Sequence, residues 1–204
     1  MSFDLTATAT MLLGRLGATS WADLDWLTEA EVFSYFDEAA KRLAQECGIF
    51  VIRDTSDNLA NGTSQYATPA GWLSTIHVSA GSTRLRPASA SELLALDATY
   101  TATTGTPARY SMDAGPLGTV TIYPTPTRYA ALCQVCHVFP QPDITQSAPT
   151  APISSPISDY FLYFALWRAR GRQSESSMPE IASHAEARCK QFEEMFNGYY
   201  GDGE

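Results

Sequence analysis

The chain has 204 residues, 45% of them hydrophobic and 17% charged, which provides enough apolar material for one globular domain or for a helical body with a second lobe. A formal net charge of −9 excludes the cationic average of a dedicated nucleic-acid binder, although a local basic patch stays compatible with it. Met1-Ser2-Phe3-Asp4-Leu5 lacks the features of a secretory signal, and no apolar stretch approaches a membrane span, so the expectation is a protein made and kept in a cytosol.

In chain order, a weak helical pattern covers roughly residues 6–16, and Trp21, Leu24, Trp26 and Leu27 read as anchors of the segment that follows. Thr28-Glu29-Ala30-Glu31 is a capping box, in which the hydroxyl and the carboxylate satisfy each other's orphan N–H groups. Behind it Val32, Phe33, Tyr35, Phe36, Ala39, Ala40, Leu43, Ala44 and Cys47 recur at helical spacing, and Gly48 supplies the stop. From residue 51 to 139 the texture changes to short alternating runs, among them 72–78, 118–123 and 129–139, with one short helix at 91–96.

Residues 140–156 contain five prolines, which favour an extended, semi-rigid return without regular hydrogen bonding. Tyr160 to Trp167 is apolar nearly all round, and Pro179 opens a last helix carrying Ile181, Ala185, Phe192, Met195 and Phe196 on one side. A single amphipathic stripe needs a surface to bury it, so the last two helices are expected to pack onto the long first one. The fold class read from this is α+β. The helical body comprises 1–50 and 157–204, 51–139 is an inserted antiparallel β-rich lobe, and 140–156 is the return linker.

Cys133-Gln134-Val135-Cys136-His137 matches the attachment pattern of a c-type haem. The motif sits in an alternating strand pattern, where Cys133 and Cys136 point to opposite faces, and haem attachment needs export. A zinc site would have to recruit distant Cys47, Cys189, His77 or His184. The four cysteines read instead as small apolar fillers. A small haem or metal protein and a carbohydrate-binding tail module, the latter stacking sugars on Trp72, Tyr66, Tyr100, Tyr110 and Tyr123, stay open as alternatives. No serine elbow, phosphate loop or paired-carboxylate motif is present, so the expectation is a protein without enzymatic activity, cofactor or metal. Arg168, Arg170 and Arg172 end the apolar helix; with Arg188 and Lys190 they are the candidate partner interface, facing an acidic protein surface or passing DNA.

The order of features resembles the head-to-tail adaptor, or connector, proteins of tailed bacteriophages, in particular the group similar to tubular tail protein A. The likeness rests on Leu27-Thr28-Glu29-Ala30-Glu31 through Ala40, then Leu85-Arg86-Pro87 and Ser91-Glu92-Leu93. It continues through Gly105-Thr106-Pro107-Ala108-Arg109-Tyr110, Ile122-Tyr123-Pro124-Thr125-Pro126, the proline-bearing exit, and the helix from Asp159 to Arg170. The resemblance implies a virion protein of the neck, assembled in the host cytoplasm as a homo-oligomeric ring, commonly a dodecamer. That ring would clamp below the portal protein, receive tail, nozzle or neck proteins, and surround the DNA channel without sequence-specific DNA binding or membrane contact.

Overall fold

The computed structural model describes residues 3–151, 157–172 and 179–200. In chain order it holds strand β1 (Phe3–Asp4), helix α1 (Thr6–Arg15), a short 3-10 turn (Trp21–Asp23) and helix α2 (Glu29–Cys47). Strands β2 (Val51–Asp54), β3 (Asn58–Leu59), β4 (Gln65–Ala67), β5 (Trp72–Ala80), β6 (Thr83–Arg84) and β7 (Arg86–Pro87) follow, then helix α3 (Ala90–Leu96). Strands β8 (Thr104–Gly105), β9 (Arg109–Ser111), β10 (Thr119–Tyr123), β11 (Thr125–Pro126), β12 (Ala130–Val138) and β13 (Thr150–Ala151) precede helices α4 (Ser158–Arg172) and α5 (Pro179–Tyr200). The fold is α+β, and the chain divides into a helical unit, residues 1–50 with 139–204, and a β unit, residues 51–138.

In the helical unit α2 starts as its sequence dictates: the Glu31 N–H donates to Thr28 Oγ1 at 3.3 Å and the Thr28 N–H to Glu31 Oε2 at 2.9 Å. Gly48 ends it at φ +58°, a left-handed conformation that glycine adopts without a Cβ penalty. Helix α4 is apolar all round because α1, α2 and α5 all pack against it. Tyr160, Phe161, Leu162, Phe164, Ala165 and Ala169 are buried, and the Phe161 ring meets Phe36 of α2 edge-on with centroids 6.1 Å apart.

The return segment corrects one expectation. It is hydrogen-bonded, not merely extended: β13 pairs antiparallel with β1 through Phe3↔Ala151 and Asp4↔Thr150. The Ile144 N–H donates to Asp37 at 2.9 Å, and Lys41 bridges Asp37 and Asp143 at 2.6 and 3.0 Å. Prolines remove donors but leave carbonyls and the intervening N–H groups free to pair, which is why five of them did not abolish regular bonding. Residues 152–156 of that linker, the side chain of Arg172 and the tail beyond residue 200 lie outside the described residues.

The β unit is built on two sheets, β2-β12-β5-β6 and β4-β10-β9-β7. Leu59, Tyr66, Val78, Leu85, Tyr110, Val120, Ile122 and Leu132 form one core drawn from both. Gln134 ties them further, its Nε2 donating to the Ala67 carbonyl at 2.8 Å. On the outer side of the second sheet, α3 sets Leu93 against Ala88 and Tyr123. The lobe is not wholly antiparallel: β7 runs parallel to β9 and β8 parallel to β11. Parallel neighbours require a crossover, and α3 with the loop behind it supplies the one between β7 and β9.

Candidate partner-binding surfaces

Arg168, Arg188 and Lys190, three of the cations singled out from the sequence, engage side chains of their own helical unit. Arg168 pairs with Glu38 of α2 at 3.1 Å and lies over the rings of Tyr35 and Trp167. Arg188 lies over Tyr163 and Phe192 and donates to Gln191 at 2.7 Å. Lys190 reaches Glu186 one turn back at 2.8 Å, and that hydrogen bond raises its pKa. Arg170 is half-buried, and the Arg172 side chain falls outside the described residues. The Arg168 and Arg188 guanidiniums lie over aromatic rings, so part of their role is packing.

Sequence reading missed the polar centre of the helical unit. Glu193 of α5, with a side chain only 12% exposed, takes Arg42 Nη2 on one oxygen at 3.1 Å and the Tyr160 hydroxyl on the other at 2.8 Å. Arg42 Nε also lies 2.8 Å from Glu193, and the guanidinium spreads over Trp167. Burial works against the charge on Arg42, but the hydrogen bond and charge of Glu193 outweigh it and raise its pKa. The available signal was position: Glu193 lies four residues after Cys189 and three before Phe196, which places a carboxylate on an apolar helix face.

Around this centre burial pushes the thiols of Cys47 and Cys189 up to about 11 and about 12, so both are protonated near neutrality. All four cysteines are free and buried, the environment of apolar fillers. Register separates the other two. Val135 lies opposite Arg53, whose Nε meets Cys133 Sγ on that same face at 3.4 Å, whereas Cys136 lies opposite Thr75 on the face of Leu132 and Gln134. Two thiols on opposite faces of one strand do not reach the same haem edge, which corrects the haem alternative. Among the described residues no group of three His, Cys, Asp or Glu side chains gathers to hold a metal ion.

The carbohydrate alternative is corrected in the same way. Tyr66 and Tyr110 belong to the inter-sheet core, and Tyr123 packs under α3. Their faces are occupied by neighbouring side chains, leaving Trp72 and Tyr100 half-buried as the remainder of the proposed stacking set. Exposed apolar groups lie elsewhere. Leu117 and Tyr129 project from loops of the β unit with 97% and 80% exposure, and Leu94 and Leu96 line the outer side of α3. In the helical unit, Arg188, Gln191, Phe192 and Met195 border a cleft of about 340 Å³. Such groups suit contact with protein surfaces.

Among known families, the model described as SU10 adaptor protein matches residues 4–202, which includes nearly all of both units. No curated protein matches the chain.

Proposed function

As the chain belongs to the SU10 adaptor protein family and is thereby a phage adaptor protein, we propose that it is a non-enzymatic subunit of a ring joining the head of a virion to its tail. The observation that carries this reading is the family match across nearly the whole chain, through the helical unit and the β unit alike. The ring sits below the portal protein, receives tail, nozzle or neck proteins on its other side, and surrounds the channel through which DNA passes. A dodecamer is the expected count. The subunit is assembled in the host cytoplasm, with residues 51–139 serving as a lobe inserted into the helical body.

Physical chemistry supports the reading at two points. An overall charge of −9 disfavours persistent phosphate contacts, as a channel for moving DNA requires. The exposed Leu94, Leu96, Leu117 and Tyr129 give the β unit apolar groups to bury against partners, while repeated weak contacts around a ring sum to a stable whole. The C-terminal cations Arg168, Arg170, Arg172, Arg188 and Lys190 belong to the portal-facing or neighbour-facing surface. Co-sedimentation of the full chain with portal particles of the phage that encodes it tests the proposal. Saturable binding is expected, reduced by Arg188→Glu/Lys190→Glu; failure to bind portal or tail proteins contradicts it.

A further inference from the structure

Charge is distributed unequally between the units. The helical unit contains seventeen Asp and Glu against eight Lys and Arg, whereas the β unit contains five of each. Four of the five β-unit carboxylates are occupied locally. Asp54 accepts from the Ser56 N–H, Glu92 closes the cap with Ser89, Asp97 takes Thr99, Thr103 and Tyr123, and Asp113 takes Ser111 and the Ala90 N–H. Among the described residues none of the five arginines, Arg53, Arg84, Arg86, Arg109 and Arg128, stands within ion-pair distance of a carboxylate.

Two of these arginines are held side by side. The parallel pairing of β7 with β9 sets Arg86 directly opposite Arg109, and β10 sets Tyr123 on the other side of Arg109. Leu85 and Tyr110 turn into the core, so both arginines point to the outer face, Arg86 exposed and Arg109 half-buried. Like charges directly opposite on neighbouring strands repel. A charge on an edge strand guards against aggregation, which accounts for Arg86 on β7, but β9 is an interior strand and Arg109 has no such use. Asp97 touches Tyr123 beside this pair, yet its oxygens are engaged by Thr99, Thr103 and Tyr123.

We propose that Arg86 and Arg109 form a docking surface for the acidic helical unit of a second copy of the chain, an inference that rests on the ring reading above. A head-to-tail contact requires two different, complementary patches on one chain, and here the anionic excess and the unpaired guanidiniums lie in different units. Carboxylates of the neighbour provide the counter-charge that the arginine pair lacks within its own fold. Nucleic acid is the less favourable occupant, because a chain of charge −9 repels phosphate as a whole.

The test mixes portal particles with full-length wild type, with Arg86→Glu/Arg109→Glu, and with Arg86→Gln/Arg109→Gln, and counts chains bound per portal by sedimentation and electron microscopy. Wild type is expected to fill complete rings, and the charge reversal to need at least about tenfold more protein for half-occupancy. The glutamine pair is expected to weaken ring filling while the isolated chain melts no lower than wild type, because repulsion within the fold is relieved. That combination separates lost docking from lost folding. Complete rings from both variants at wild-type concentration overturn the inference and leave the ring reading intact. Absence of rings from wild type overturns the ring reading and the inference with it. Duplex DNA bound by wild type and released by the glutamine pair, with ring filling unaltered, overturns it in favour of a nucleic-acid surface.

Discussion

The two units use polar groups in opposite ways. In the helical unit charges bridge elements far apart in sequence: Arg42 and Tyr160 meet on Glu193, Arg168 reaches Glu38, and Lys41 joins α2 to the return segment. In the β unit most carboxylate contacts are to nearby residues, as those of Asp97 with Thr99 and Thr103 and of Glu92 with Ser89, and among the described residues no arginine stands within ion-pair distance of a carboxylate. Helices meet through side chains alone, so long-range polar contacts help fix their mutual positions. Strands are already positioned by backbone bonds and depend less on ion pairs between elements.

The sharpest way to break this comparison is through the helical core. Phe161→Ala removes a fully buried ring at the contact of α4 with α2 and is expected to destabilise the chain by about 4 kcal/mol, read from urea unfolding of the helical signal. Glu193→Ala leaves Arg42 and Tyr160 without their shared acceptor and should cost about 3 kcal/mol in the same assay. A loss no greater than that of an exposed substitution would show that the charges do not hold the helices.

Two groups, one in each unit, contribute with opposite dependence on pH. Burial sets the folded pKa of the Cys189 thiol at about 12, above its unfolded value of about 8.5. Its contribution is whole below that unfolded value and is lost as pH climbs through the folded one. Hydrogen bonds from Thr103, then Thr99 and Tyr123, hold Asp97 at about 2, below an unfolded value of about 3.9. That contribution is whole above the unfolded value and disappears as pH falls towards the folded one. Cys189→Ala should therefore flatten the alkaline limb of the urea midpoint against pH, and Asp97→Asn the acid limb. Matching changes on both limbs from either variant would erase the distinction. The smallest effect concerns the cap of α2: Thr28→Ala should cost about 1 kcal/mol by the same unfolding measurement.

Legibility from sequence followed the range of the interactions. Thr28, Glu31 and Gly48 bound α2 through contacts a few residues long, and the apolar run of α4 announced burial on every side. The alternating runs around residues 72–78, 118–123 and 129–139 became β5, β10 and β12. The register of β7 against β9 gave no such signal, because two residues with a proline carry no alternation and their partner follows a helix and a loop. The candidate cations were visible as residue types, but Arg168 and Arg188 found aromatic faces that only tertiary packing provides. Arg42 lies off the apolar stripe of α2, and its partner Glu193 stands 151 positions away, a pairing that no local pattern announces.

The most direct test of the adaptor account is electron microscopy of the full chain bound to portal particles, with rotational symmetry determined around the channel. A closed ring is expected, with each β unit presenting Arg86 and Arg109 to the helical unit of its neighbour. Isolated subunits scattered on the portal, or no binding at all, would contradict it.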